Sequence, residues 1–235
     1  MFDYYLAPYV AKSFVRNCGT FLELFDLSMV IDHVDISDLT KVCEEKTRIN
    51  QSPDYIKHFF ISPMDNFIDG HGHILDEAGR MELEDMFVSF IYRCIHAYAG
   101  KDAGVYLNAS SVMNEFTKMW DFALKRTERD TYQAMEATVH NLCTLSSRAG
   151  GQVPFSSVNM GTDTSEEGRM VTRNLFLATE AGLGSGETAV FPISIMKMKK
   201  GVTDKGSPNY DLFQLACRVS SKRLFPKQHW GLCVA

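Results

Sequence analysis

The hydrophobic pattern divides the chain into a helical stretch and a stretch in which strands alternate with helices. In the segment 81–98 the apolar residues recur at spacings of three and four, which places them on one face of a helix. The same spacing predicts further helices near 36–48, 109–126 and 131–147. After these helices, short apolar runs rich in β-branched and aromatic residues appear. The pattern therefore predicts a mainly helical region over 1–148 and an α/β region over 149–235.

The α/β region has the pattern of a βαβα unit. Strands are predicted over 152–160 and 188–198, and helices over 164–182 and 210–224. The first helix has acidic residues in its first turn and Gly182 after its last, which are typical start and stop signals. Strands that alternate with helices form parallel sheets with right-handed crossovers. We therefore expect the two strands to be parallel neighbours.

The turn that follows the first predicted strand is a candidate site. In parallel sheets, ligands bind where strands end, because loops and helix N-termini converge there. The backbone N–H groups of segment 159–163 and of the next helical turn could bind an anion such as phosphate. The other interpretation is a simple helix cap formed by Thr162, Asp163 or Thr164. Of the two, the physical pattern favours the cap.

Composition and charge exclude several classes of protein. The chain is 45% hydrophobic and 23% charged, as in ordinary globular proteins. Its formal net charge of -5 gives no reason to expect a nucleic-acid partner. The short basic clusters at 197–200 and 222–227 are interpreted as solvated ends of elements. No run approaches the roughly 18 apolar residues of a membrane span, and no signal peptide is recognisable, so we expect a cytoplasmic protein.

The cysteines do not form a metal-binding or disulfide pattern. They are widely spaced, and none belongs to the Cys-x-x-Cys pairs typical of zinc sites. Those on helical patterns share apolar faces and are expected to pack as small hydrophobes. The six cysteines are Cys18, Cys43, Cys94, Cys143, Cys217 and Cys233, of which Cys94, Cys143 and Cys217 lie on helical patterns.

Two further motifs are interpreted as structural. The acidic segment 65–76 has partial calcium-loop spacing, but Phe67 occupies a ligand position. His71 and His73 lack identifiable further ligands, so we interpret this segment as a polar turn without a metal. The glycine-rich segment 182–188 follows a helix and precedes a strand, which is the reverse of the order in a nucleotide-binding loop.

One long run resembles a known family. The segment containing "QVPFSSVNMGTDTSEEGRM" and "SPNYDLFQLACRVSSKRLFP", from about Thr131 to Pro226, resembles the anaerobic, class III ribonucleoside-triphosphate reductases. The segment "FDYYLAPYVAKSF" is similar to the part of that family that precedes this core. By this resemblance the chain is an internal fragment of the reductase large subunit.

The resemblance implies a partial glycyl-radical-enzyme α/β barrel and radical chemistry. In the family a glycyl radical is passed to a cysteine, whose thiyl radical abstracts the ribose 3′ hydrogen, and formate takes part in the reduction. A separate iron–sulfur, S-adenosylmethionine-dependent activase generates the radical, and a C-terminal module holds zinc. The implied partners are ribonucleoside triphosphates, nucleotide effectors, the activase, and a second copy or a complementing reductase fragment. All the cofactors are expected outside this chain.

The resemblance also implies binding residues. The first strand is similar to one that lines the barrel of the family, and hydroxyl and amide groups suit ribose and phosphate oxygens. A basic residue on the helix after "LAPYV" corresponds to the effector site, where a cation suits a triphosphate. The expected substrate-binding residues are Gln152, Pro154, Ser156, Ser157 and Asn159, and the expected effector-binding residue is Arg16.

The departures from the family determine the functional expectation. The 235 residues contain no Met-Gly-Cys-Arg motif, and Cys233 stands in a different context from the radical cysteine of the family. The segment of about 17–130 is longer than its counterpart in the family. The sequence therefore predicts a reductase fragment without catalytic residues that is inactive alone. The alternatives are a non-catalytic nucleotide-binding or subunit-interaction module, or one piece of a split reductase.

Overall fold

The computed structural model forms two compact units. It describes residues 1–25, 31–33, 52–72, 75–98, 105–107, 109–145 and 151–230. The sheet unit comprises Met1–Ala11 and Thr127–Ala235, and the helical unit comprises Lys12–Arg126. Both boundaries between the units fall inside long helices. The proposed division at residue 148 stays a prediction.

The helical unit contains mainly helices and one small antiparallel pair of strands. Its two short strands pair with Ile31 opposite Leu107. The elements in order are α1 Phe2–Leu24, which begins in the sheet unit, β1 Ile31–His33, α2 Pro53–Ile56, a π-helix Lys57–Ile61, α3 Ser62–Gly70, α4 Glu77–Tyr98, β2 Val105–Leu107 and the first part of α5 Ala109–Thr144.

The strongest helical pattern of the sequence is confirmed as α4. It begins one turn earlier than predicted because Asp76 caps it, accepting a hydrogen bond from Gly79 N at 2.8 Å. Phe87 and Phe90 of α4 are buried in an aromatic core. The predicted helix at 36–48 lies outside the described residues.

The two helices predicted at 109–126 and 131–147 form a single helix, α5, so this prediction of two elements was wrong. The helix has 36 residues. The connecting sequence "RTERD" contains neither glycine nor proline, and nothing in it terminates a helix. Thr127 and Thr131 are both buried, so the packed face continues through the expected break.

The sheet unit confirms the βαβα unit and adds a third strand. The three strands lie side by side in chain order and both pairings are parallel, with Asn159 opposite Ile195 and Ile195 opposite Lys227. The third strand was not predicted because "KQHW" has no alternating apolar pattern. The described residues thus have a mixed α/β fold, and the barrel stays a prediction. After α5 the elements are β3 Ser157–Met160, α6 Glu166–Ala181, β4 Ile193–Met198, α7 Tyr210–Lys222 and β5 Lys227–Trp230.

Both predicted strands are shorter than expected at their amino ends. β3 begins at Ser157 rather than at residue 152, and β4 begins at Ile193 rather than at residue 188. Pro154 and Pro192 precede the observed starts, and proline has no N–H group for the hydrogen-bond ladder. The prolines therefore confine pairing to the carboxyl halves of the two runs.

The two faces of this sheet differ in burial. On the covered face, the side chains of Met160, Ser194 and Met196 are 0% exposed. On the open face, the side chains are half-buried or exposed. Successive right-handed crossovers in one direction place α6 and α7 on the same side, and these two helices contact each other. The open face consists of Ser157, Asn159, Ile193, Ile195 and Lys197.

Candidate functional site

The carboxyl ends of β3 and β4 carry the loops that define the candidate site. The turn after β3 begins at Gly161, whose φ of 105 is readily adopted only by glycine. A Cβ atom on Gly161 would lie 2.9 Å from Cγ of Met196 on the neighbouring strand. The sequence therefore needs glycine here so that the chain can leave the sheet closely beside β4.

The helix after this turn is capped by Ser165, not by Thr162, Asp163 or Thr164 as predicted. Ser165 has extended backbone angles, and its Oγ accepts a hydrogen bond from Gly168 N at 3.1 Å. Asp163 supports the cap, because its Oδ1 accepts from Ser165 N at 2.9 Å and from Ser165 Oγ at 2.7 Å. The interpretation of this turn as a helix cap is confirmed, one residue later than predicted.

A buried carboxylate from α1 binds the backbone of the same turn. Asp3 is 0% exposed, and its Oδ2 accepts hydrogen bonds from Gly161 N at 2.7 Å and Asp163 N at 3.5 Å. Its Oδ1 accepts from Tyr4 N at 3.0 Å. The loop N–H groups that the sequence offered to an external anion therefore bind an anionic group of the protein itself.

Asn209 joins this loop to the loop that follows β4. Its Nδ2 donates to the carbonyl oxygens of Gly161 at 3.1 Å and Asp163 at 2.7 Å. Its Oδ1 accepts from Nη1 of Arg169 at 2.8 Å, and this arginine also donates to Asp211 at 2.9 Å. One buried amide thus fixes the two loops that surround the carboxyl end of the sheet.

The predicted substrate-binding residues do not all lie on one face of the sheet. Ser157 is exposed and Asn159 is half-buried, and both lie on the open face. Ser156 Oγ is buried and has no hydrogen-bond partner among the described residues. Gln152 is exposed and Pro154 is half-buried, and both precede the strand. The role of these five residues in substrate binding stays a prediction.

Lys197 is a candidate binding residue that the sequence interpretation missed. It was assigned to a solvated basic cluster, but it lies in β4 and is half-buried. The burial pattern of β4 alternates, which puts Lys197 on the open face with Asn159. Asn159 pairs with Ile195, so Lys197 lies two residues nearer the carboxyl end. The period-two pattern of "ISIMKM" was the signal that could have found it.

Arg16 lies on α1 in the helical unit. Its side chain is exposed, and Nη2 is 3.4 Å from Oγ of Ser13. The effector role that the family resemblance implies stays a prediction.

Of the four described cysteines, two are buried, one is half-buried and one is exposed. Burial raises the pKa of Cys94 to about 12 and raises that of Cys18 further, so both thiols are protonated at neutral pH. Cys143 is half-buried and donates from Sγ to the carbonyl oxygen of Phe191 at 3.0 Å. Cys217 is exposed, so its predicted packing was wrong: the buried stripe of α7 runs through Ala216 instead.

Within the described ranges, no group of three or more His, Cys, Asp or Glu residues could hold a metal ion. His71 is occupied otherwise: its Nδ1 lies 2.7 Å from the carbonyl oxygen of Phe67, and its ring stacks on Phe67 at 4.0 Å. His73 lies outside the described residues.

Among the residues that the structure describes, no helix is both long and apolar enough to cross a bilayer.

The glycine-rich segment 182–188 ends α6, as its order in the sequence predicted. Gly182 has a φ of 80, and Leu183 forms a β-bridge with Glu187. Nε of Arg223 donates a hydrogen bond to the backbone carbonyl oxygen of Glu180, in the last turn of α6, at 3.0 Å. A groove of about 470 Å³ lies between this turn and α5, and it is lined by Gln133, Glu136, Ala137, His140, Ala181, Gly182, Leu183 and Gly184.

Glu180 makes stability depend on pH. Lys222 and Arg218 donate to its carboxylate at 2.7 and 2.8 Å, and these hydrogen bonds, that of Lys222 foremost, lower its pKa. A carboxylate with a lowered pKa stabilises the folded chain above its ordinary pKa, and this contribution is lost as pH falls through the lowered value.

We therefore expect Glu180→Gln to reduce the free energy of unfolding by about 1 kcal/mol at pH 7, as for a good surface ion pair. The difference from the parent chain should shrink as pH falls below the ordinary glutamate pKa of about 4.3, and it should disappear once pH is below the lowered pKa of Glu180. Urea denaturation at several pH values measures this. Glu128→Gln is the control, because its contact with Arg173 is longer, at 3.7 Å. A pH-independent difference for Glu180→Gln would contradict the prediction.

Comparison with known proteins identifies the family. The family model for anaerobic ribonucleoside-triphosphate reductase matches residues 1–230. The anaerobic ribonucleoside-triphosphate reductases of Salmonella typhimurium and Enterobacteria phage T4 are each 38% identical to the chain, over 107 and 108 residues. The Escherichia coli reductase is 37% identical over 107 residues.

These alignments cover a minor part of each relative. Each covers 45% of this chain, but only 15% of the Salmonella and Escherichia coli proteins and 18% of the phage protein. The match of the family model, in contrast, extends over both units of the structure. The chain belongs to the anaerobic ribonucleoside-triphosphate reductase family.

Proposed function

We propose that this chain supplies early strands of the nucleotide-binding barrel of an anaerobic ribonucleoside-triphosphate reductase. In this proposal the open face of β3 and β4 faces the interior of the barrel and binds a ribonucleoside triphosphate. The enzyme would convert ribonucleotides to deoxyribonucleotides in the cytoplasm, as precursors for DNA replication. Nucleotide effectors would regulate it through Arg16.

One observation carries the proposal, namely that one face of the parallel sheet is buried, while the other face carries three polar side chains beside Ile193 and Ile195. Ser157 and Asn159 present hydroxyl and amide groups that can both donate and accept hydrogen bonds to a ribose. Lys197, at the carboxyl end of the same face, supplies a cation suited to phosphate. This arrangement is what a barrel interior at the carboxyl ends of its strands requires.

The radical steps are assigned to groups other than the described residues. β3, β4 and β5 contain no cysteine, and the four described cysteines all lie on helices. We propose that the radical cysteine, the glycyl radical and the zinc module belong to sequence outside these 235 residues. When present, the thiyl radical would abstract hydrogen from the ribose, formate would take part in the reduction, and the residues of this chain would orient the nucleotide.

Isothermal titration calorimetry with ribonucleoside triphosphates tests the binding face. Ser157→Ala and Asn159→Ala should each weaken binding about tenfold, because each removes one hydrogen bond to the nucleotide. Ser221→Ala on α7 and Asn141→Ala on α5 are matched controls, because both side chains are exposed on other elements, and they should leave the dissociation constant unchanged. Arg16→Ala should instead weaken the binding of deoxyribonucleoside triphosphate effectors. Unchanged dissociation constants for both open-face variants would contradict the assignment.

An activity assay tests the assignment of the radical steps. Activase, S-adenosylmethionine, formate and nucleotide are supplied anaerobically, and the chain by itself should form no deoxyribonucleotide. Addition of a complementing fragment with the radical cysteine and glycine should restore turnover. Turnover by the chain alone would overturn the assignment. Nucleotide binding without any restored turnover would instead identify a non-catalytic binding module.

A further inference from the structure

We propose that Asp3 is a positioning residue: its carboxylate occupies the anion-binding concavity of the Gly161–Asp163 loop and sets the position of the carboxyl end of β3. For nucleotide binding, this inference rests on the proposed function. No role is assigned to Asp3 in contacting the nucleotide.

The loop has the geometry of an anion site. The N–H groups of Gly161 and Asp163 converge on one oxygen, Oδ2 of Asp3, at 2.7 and 3.5 Å. Backbone N–H groups that converge in this way form concavities that attract anions. Here the anion is part of the chain, so its position is fixed by the first turn of α1, where Asp3 lies.

The chemistry of Asp3 indicates a requirement for geometry rather than for packing. Its side chain is 0% exposed, and among the described residues it accepts hydrogen bonds from the backbone N–H groups of Tyr4, Gly161 and Asp163. Burial of a carboxylate is unfavourable unless hydrogen bonds compensate for the lost water. An apolar residue would fill this space without that cost, but it could not hold two loop N–H groups in a defined direction.

The loop is held on its other side as well. Asn209 donates to the carbonyl oxygens of Gly161 and Asp163, so the donors of this loop bind Asp3 and its acceptors bind Asn209. Gly161 is two residues from Asn159, which lies on the open face. A displacement of the loop therefore moves the amide of Asn159 relative to Lys197, and those two side chains would orient a bound nucleotide.

Asp3→Asn tests the proposal by replacing one oxygen with an NH₂ group, which presents a donor to the donors that Asp3 now binds. In ¹H–¹⁵N spectra of the full chain, the Gly161 amide proton should move upfield, and its exchange with solvent should accelerate about tenfold. Nucleotide binding should weaken about tenfold, because Asn159 loses its fixed position. Asp3→Glu keeps the charge but displaces the acceptor oxygens. It should therefore change the Gly161 amide signal, its exchange rate and the nucleotide affinity in the same direction but by less. If Asp3→Asn does not fold, Asp3→Glu is the test variant.

Val219→Ala is the control for a general loss of stability. Val219 is buried on α7 and has no described hydrogen bond to the loop, so its truncation should lower the unfolding midpoint without moving the Gly161 resonance. An unchanged Gly161 amide in the Asp3 variants would overturn the proposal. Equal losses of nucleotide affinity in Asp3→Asn and Val219→Ala at equal stability would also overturn it. If the parent chain binds no nucleotide, the proposed function fails, while the Gly161 measurements still decide whether Asp3 fixes the loop.

Discussion

Asn209→Ala is expected to lower the free energy of unfolding by about 3 kcal/mol, since buried hydrogen-bonding groups that lose their partner cost about 1 to 3 kcal/mol each. Asn209 is 0% exposed, and its side chain satisfies two loop carbonyl oxygens and the guanidinium of Arg169. Alanine is too short to reach any of them. Urea denaturation followed by circular dichroism measures the loss.

Two variants separate this hydrogen-bonding role from side-chain size. Asn209→Asp keeps the shape but cannot donate, so its carboxylate faces the carbonyl oxygens of Gly161 and Asp163 and the loss should be at least as large. Asn141→Ala removes an exposed asparagine from α5 and should change stability by less than about 0.5 kcal/mol. A loss below about 1 kcal/mol for Asn209→Ala would show that the two loops do not depend on this amide.

Gly182→Ala is the second change with a large expected effect, a loss of about 3 kcal/mol from steric overlap and backbone strain together. The residue has a φ of 80, and an added Cβ would lie 2.4 Å from the backbone oxygen of Glu187. That oxygen accepts the hydrogen bond from Leu183 N at 2.9 Å, so the turn must open to admit a methyl group. The same urea titration reports the effect.

Neighbouring glycines provide matched controls for the two causes. Gly186 also has a positive φ, of 85, but an added Cβ would meet nothing within 4 Å, so Gly186→Ala isolates backbone strain at about 1 kcal/mol. Gly184→Ala would introduce neither steric overlap nor backbone strain, so it should leave the free energy of unfolding nearly unchanged. Equal losses at positions 182 and 186 would show that the contact with Glu187 does not matter.

The sequence predicted those elements whose signals are local. The period of residues 81–98 and the stop at Gly182 identified α4 and the end of α6, because each depends on residues within a few turns. Predictions failed where a local signal was ambiguous. The apolar pattern gave no signal that the helix continues through residues 127–130, and four adjacent polar residues, 162–165, could each have capped α6.

The candidate site was only partly predictable, because several of its residues meet partners that are distant in the sequence. Ser157 and Asn159 were named from the resemblance to the reductase family, and they do share the open face. Lys197 was assigned to a solvated cluster because its neighbours in sequence are basic, although its neighbours in space belong to the sheet. Asp3 and Asn209 were not identified, because the sequence separations to their partners in the loop are far beyond any motif.

The sequence by itself determined the family, the two kinds of region and the parallel βαβα order. Apolar periodicity and the run shared with the reductases are properties of consecutive residues, so they can be recognised without the structure. Only the tertiary structure decided which face of the sheet stays open and which side chains hold the loop after β3. The contacts of this loop join segments more than 40 residues apart: Asn209 and Gly161 are separated by 48 residues, and Asp3 and Gly161 by 158. Only chain folding brings such groups to within about 3 Å of one another, roughly the length of a hydrogen bond.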